Sequence, residues 1–215
     1  MSIGAIGGAQ VATRTDVSAL SDVLAAAFEG HPLTEWVVRQ DAKRAAARRL
    51  YFDAYLRHGL ADGEVVCDDD RRAAAIWFPP DGWRSGVATM AARLPVLARI
   101  TGVRSFVSRV AQLRRLADHH SPAPHWYLEV LGTHPAHQRA GLASALVEAG
   151  LARARDAGVG AYLLTSNREV VPFYERFGFK LHDDLRIPGG PSIWSLWMDV
   201  KGQAEKLSKI NADEY

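Results

Sequence analysis

Leu131-Gly132-Thr133-His134-Pro135-Ala136-His137-Gln138-Arg139-Ala140-Gly141-Leu142-Ala143-Ser144-Ala145-Leu146 is the stretch on which the fold turns. It leaves an apolar segment, passes through a polar turn at 133–137 and enters an alanine-rich run with helical spacing. Just upstream, residues 125–131 are apolar on both faces apart from Glu129, the pattern of a central strand. A helix over 139–156, closed by Gly158, and an apolar strand over 161–166 follow. Strand, helix and strand make a right-handed crossover with parallel strands. The first turn of such a helix leaves backbone N–H groups unpaired. Small residues at Gly141 and Ala143 let the backbone approach a bound anion, while the helix dipole and Arg139 add positive potential. The spacing matches neither the nucleotide P-loop nor the three-glycine dinucleotide fingerprint. Taken alone it also reads as an ordinary strand-to-helix connection.

Working outward toward the N-terminus, Thr13 to Asp16 offers helix-capping chemistry, and Val17, Leu20, Val23, Leu24, Ala27 and Phe28 recur at helical intervals, predicting a helix over 16–28. His31-Pro32 breaks it, and a second, alanine- and arginine-rich helix is expected over 41–58, closing at Gly59. Residues 64–68 and 73–78 read as a hairpin stopped by Pro79-Pro80. Residues 82–120 carry apolar residues at intervals of three and four, interleaved with arginines, and predict a helical insert of one or two amphipathic helices. Toward the C-terminus a short helix over 170–177 ends at Gly178, strands follow over 179–187 and 192–200, and residues 201–215 read as a polar extension. Residues 1–200 are thus expected to form a single α/β domain.

Composition excludes several classes. With 48% hydrophobic and 23% charged residues the chain can build a core, and a net charge of +2 gives no global attraction to nucleic acid or an anionic membrane. The single cysteine, Cys67, excludes an intramolecular disulfide framework and reads as a buried thiol. No segment approaches the roughly 20 apolar residues of a membrane span, and a cytoplasmic protein is expected. The pairs His119-His120 and His134/His137 are adjacent or loop histidines, which rarely form a site without acidic or thiol partners, so no metal site is expected. The arginines of residues 84–115 read as a solvated helix face.

The opening stretch resembles the acetyl-CoA signature of the GNAT acetyltransferases: apolar strand, Pro135, Gln138 and Arg139, Gly141 and Ala143, then helix. Thr165-Ser166-Asn167 followed by Pro172-Phe173-Tyr174-Glu175-Arg176-Phe177-Gly178-Phe179 looks like the family's second motif, and Ala12-Thr13-Arg14-Thr15-Asp16 is similar to its opening. Arg139, Ala140 and Ala143 depart from the commoner lysine and glycines. The resemblance implies a mixed, mostly antiparallel sheet with a central parallel pair, flanking helices and an insert. It implies acetyl-CoA as co-substrate, held by Val130, Leu131, Gly132, Thr133, Gln138, Arg139, Ala140, Gly141, Leu142, Ala143 and Ser144, with Asn167 and Phe173. It also implies Tyr174 as the acid toward the departing thiolate; the alternative is a core tyrosine packed beside Phe173 and Phe177.

Alternation puts Tyr127, Glu129 and Leu131 on one face of the central strand, so Glu129 reads either as the base that takes the amine proton or as a structural partner of an arginine. His31 is a weaker base candidate. Tyr127, Trp36 and His31 are expected around a small-molecule amine acceptor, a puromycin-like antibiotic being one expectation. Monomer and homodimer both stay open. Two alternatives stand beside this reading: a catalytically silent acetyl-CoA-binding sensor or scaffold, and an acetyltransferase acting on protein lysines or N-termini.

Overall fold

The computed structural model describes residues 8–84, 87–117, 120 and 123–199. Its strands are β1 (Ala9–Val11), β2 (Glu64–Asp68), β3 (Ala73–Phe78), β4 (His125–Thr133), β5 (Gly160–Thr165), β6 (Lys180–Arg186) and β7 (Ser192–Met198). Its helices are α1 (Val17–Ala27), α2 (Pro32–Val37), α3 (Arg44–Asp62), α4 (Val87–Thr101), α5 (Phe106–Ala117), α6 (Leu142–Asp156) and α7 (Val171–Glu175). The strands form one mixed sheet in the order β1-β2-β3-β4-β5-β7-β6. Only β4 and β5 run parallel among these neighbours, joined by the crossover helix α6. No described helix is long and apolar enough to cross a membrane. The expected polar extension from residue 201 lies outside the described residues.

Two cores sandwich the sheet. On one face Leu20 and Leu24 of α1, Phe52 and Leu56 of α3 and Ile100 of α4 pack with Ile76, Tyr127 and Val130. On the other, Leu146, Val147 and Leu151 of α6 and Tyr174 of α7 pack with Trp77, Leu128 and Leu163. Because both faces are covered, β3 is buried along its whole length and reads as an unbroken apolar run.

Several expectations shift. The helix expected to close at Gly59 continues to Asp62: a Cβ on Gly59 would lie 2.5 Å from the Ile76 side chain and 2.8 Å from Val65, so this glycine permits close packing instead of ending the helix. Pro32 begins α2, since proline in a first turn forfeits no hydrogen bond. β1 pairs with β2 in the glycine-rich start that carried no strand signal. The insert forms two helices, broken where Gly102 takes a φ of +75°. The crossover helix begins at Leu142 instead of near Arg139, because Arg139 (φ +65°) and Gly141 (φ +79°) are left-handed and cannot belong to a right-handed helix.

The central strand carries the main surprise. Ile76 pairs with Val130 and Trp77 with Leu128, so Glu129 is an extra residue on β4. This bulge breaks the two-residue period. Tyr127 and Val130 face the α1–α3 core, whereas Leu131 packs on the α6 side with Leu128. The expected common face of Tyr127, Glu129 and Leu131 is therefore wrong for Leu131.

Candidate active site

The parallel ladder between β4 and β5 ends at Leu128 opposite Leu163, although β4 runs on to Thr133 and β5 to Thr165. Beyond that point β5 pairs only with β7, and the strand edges at 129–133 and 164–165 do not bond to one another. A slot opens between them. It is part of a cleft of about 1980 Å³ that runs from the N-terminus of α6 to the insert.

At one end the chain turns through Pro135–His137, where the Ala136 amide donates to His134 Nδ1 at 3.3 Å, and then through the left-handed Arg139 and Gly141. Gly141 precedes α6 without a capping side chain. The first amides of α6 are those that helix geometry leaves without a carbonyl, so partial positive charge gathers at Leu142, Ala143 and Ser144. A Cβ at Gly141 would meet nothing within 4 Å, leaving open space in front of these amides. His137, Gln138, Arg139, Gly141, Leu142, Ala143 and Ser144 line the cleft; Ala140 does not.

In the middle, Asn167 caps the turn after β5: its Oδ1 accepts from the Glu169 amide at 3.0 Å and its own amide donates to Thr165 Oγ1 at 3.1 Å. Tyr174 stands edge-on to Phe173, ring centroids 5.1 Å apart, and both line the cleft. Burial holds the Tyr174 hydroxyl above the usual phenol range, so it stays protonated. Gly132 is tight against α1, where a Cβ would lie 2.7 Å from Leu24 and 2.9 Å from Phe28. Val130, Leu131 and Thr133 complete this wall.

At the far end Glu129 lies among three tyrosines. Tyr51 and Tyr55, one turn apart on α3, share a hydroxyl contact of 3.3 Å, and Tyr127 sits beside Glu129 on β4. Burial, reinforced by the Glu129 carboxylate, raises the hydroxyls of Tyr55 and Tyr127 well above their usual value, and Tyr51 follows. All four residues line the cleft. Sequence reading missed Tyr51 and Tyr55. Their i,i+4 spacing on the apolar side of α3 was visible, but nothing linear joins them to Glu129.

His31 also lines the cleft, edge-on to Phe28 at 4.9 Å, with a buried Nδ1 that has no hydrogen-bond partner. Burial lowers its pKa to about 4, so the ring is neutral. The Leu33 amide donates to Ser166 Oγ at 2.9 Å and fastens this loop to the end of β5. Trp36 is not brought to the cleft. Its Nε1 donates to the Gly189 carbonyl at 2.7 Å, and Arg109 stacks on its ring at 3.9 Å, so this arginine serves as packing and not as part of a solvated face. His120 stacks on Trp83 at 3.8 Å, and burial lowers it to about 3. Among the described residues no group of three or more His, Cys, Asp or Glu is placed to hold a metal ion.

The chain belongs to the GNAT acetyltransferase family, whose model matches residues 28–179. Among solved structures it is similar to a Corynebacterium glutamicum protein described as histone acetyltransferase HPA2 and related acetyltransferase, at 24% identity and a TM-score of 0.69 over 89% of this chain and 94% of that one. It is also similar to arylalkylamine N-acetyltransferase 2 of Aedes aegypti (13% identity, TM-score 0.60, 89% and 98% covered). A third likeness is to the polyamine N-acetyltransferase of Drosophila melanogaster (16% identity, TM-score 0.56, 89% and 98% covered). At these identities the likenesses establish the fold.

Proposed function

We propose that this protein transfers an acetyl group from acetyl-CoA directly to the amine of a small molecule. The observation that carries the reading is a single cleft joining the uncapped N-terminus of α6, the opened β4–β5 slot, Tyr174 and Glu129. The residues present suit the co-substrate: the amides of 142–144 and Arg139 for its pyrophosphate, and the slot with Asn167 and Phe173 for its pantetheine arm. When bound, acetyl-CoA supplies a thioester as acetyl donor.

Glu129 accepts the proton that the acceptor ammonium must lose, directly or through a water. The strand edge at 130–131, released from β5, offers backbone N–H to the carbonyl oxygen as negative charge develops on it. Tyr174, kept protonated by burial, donates to the sulfur as it departs. Cys67 takes no part: it is buried, and burial pushes its thiol up to about 11, which leaves too little thiolate to accept an acetyl group. The insert helices roof the acceptor end, which favours a small molecule over an extended protein segment. Likeness to puromycin N-acetyltransferase at Leu24-Ala25-Ala26-Ala27-Phe28, Trp126-Tyr127-Leu128 and Pro172-Phe173-Tyr174-Glu175-Arg176 makes a puromycin-like amine one acceptor to try.

The test is release of free CoA from acetyl-CoA against puromycin, aminoglycosides, polyamines, aryl amines and lysine peptides. Turnover on a small amine supports the proposal. Tight acetyl-CoA binding with no turnover on any acceptor would favour a sensor instead.

A further inference from the structure

The two ends of the insert meet in a stack of rings that the transfer chemistry leaves unused. Trp83, His120 and Tyr127 all line the cleft, with His120 lying flat on Trp83 at 3.8 Å and edge-on to Tyr127 at 4.4 Å. His125, buried at the start of β4, brings its Nε2 to 3.4 Å from His120 Nδ1 and its own Nδ1 to 2.7 Å from the Ala123 carbonyl. A carbonyl oxygen only accepts, so the hydrogen of His125 sits on Nδ1 and its Nε2 carries the lone pair. His120 Nδ1 donates to that lone pair. Both rings are neutral, because burial lowers each below the usual imidazole value. A neutral imidazole has one ring N–H, so His120 Nε2 is left as an acceptor.

A ring that served only to fill space would need no particular tautomer. Here two hydrogen bonds in series decide which nitrogen of His120 is left over. The surroundings give that nitrogen little compensation: Trp83 and Tyr127 flank the ring, and Tyr162 packs on both imidazoles at 5.0 and 5.2 Å. An acceptor atom stripped of water on such a wall is costly until a donor meets it. The charged groups beside the pair are Arg84, over the Trp83 ring at 5.0 Å, and Asp81, 3.4 Å from Arg84. Arg84 opposes a positive charge at His120, so the donor that suits the site is a neutral one.

From the His120–His125–Ala123 chain on the cleft wall we infer that His120 is a specificity-determining residue, whose Nε2 takes a hydrogen bond from a neutral O–H or N–H on the body of the acceptor amine. The acceptor is then an amine that carries such a donor, in preference to a plain alkyl or aryl amine. The inference rests on the transferase reading and adds a recognition requirement to it.

The experiment measures kcat/KM with acetyl-CoA for matched amines: tyramine and phenethylamine, tryptamine and 1-methyltryptamine, 5-aminopentan-1-ol and hexylamine. In at least one pair the member with the donor should be favoured by about tenfold or more, because its partner leaves Nε2 unmet. A wall with no acceptor would give the opposite order, since the partner is the more apolar molecule in every pair. His120→Phe keeps a ring on Trp83 and removes the nitrogen, so the preference should vanish in the folded variant. Histidine nitrogen NMR of the parent protein reads the tautomer without any substitution: Nδ1 of His120 should carry the hydrogen, and the Nε2 resonance should move when the favoured amine binds. Turnover with no preference in any pair, or a hydrogen on His120 Nε2, would overturn the inference. If no amine releases CoA, an Nε2 shift produced by a donor-bearing amine and not by its partner still supports the recognition while refuting the transferase reading. Absence of that shift in every pair would refute the recognition as well.

Discussion

Mild acid should destabilise this fold through two imidazoles that line the cleft. His31 is lowered to about 4 and His120 to about 3 by burial, the latter also by His125 and Arg84, against an ordinary value of 6.5. Because the folded values are depressed, the unfolded chain takes up protons first. The contribution is complete above pH 6.5 and is lost as pH falls toward the folded values. Linkage at about pH 5 gives a loss of about 2 kcal/mol for each ring. His125 is lowered too and acts in the same direction. The lowered carboxylates of Asp16, Asp41 and Asp68 start from 3.8 and act below this window. Urea unfolding at about pH 7.5 and about pH 5 measures the effect as a change in midpoint at constant slope. His31→Gln and His120→Gln should each remove about 2 kcal/mol of the pH difference, whatever they do to stability at neutral pH. A pH difference equal to that of the parent protein in both variants would refute the assignment of buried, neutral rings.

Three further outcomes follow from the geometry. Glu129→Gln should lower kcat/KM about a hundredfold or more while leaving acetyl-CoA affinity, read by calorimetry, within about threefold. Gly141→Val forces a β-branched residue into a φ of +79° and fills the space in front of the α6 amides; acetyl-CoA affinity should fall about tenfold or more in titration calorimetry. Gly150→Ala places a methyl carbon 2.0 Å from the Trp77 ring, and overpacking should cost about 1–3 kcal/mol in urea unfolding.

The fold was legible because its punctuation is local. Pro79-Pro80 and Gly158 fall where strand or helix ends, and the two periodicities between them are clear. Gly59 misled because glycine has two physical uses, and only its tertiary neighbour, Ile76, decides between them; the break at His31-Pro32 holds, but the same proline also opens α2, which was not foreseen. The bulge at Glu129 leaves no mark in a run of strand-forming residues, so the face of Leu131 was not readable. The turn that leads into α6 was legible because its residues are contiguous in the chain. The Tyr51–Tyr55–Glu129 cluster was not, because α3 and β4 meet only in the folded chain.

The most direct test of the account is a two-substrate initial-rate analysis, varying acetyl-CoA at several fixed concentrations of an amine that supports turnover. Direct transfer within one cleft predicts intersecting double-reciprocal lines, because both substrates occupy the protein together, with N-acetylamine and CoA formed in equal amounts. Parallel lines, with an acetylated protein trapped in the absence of amine, would contradict it.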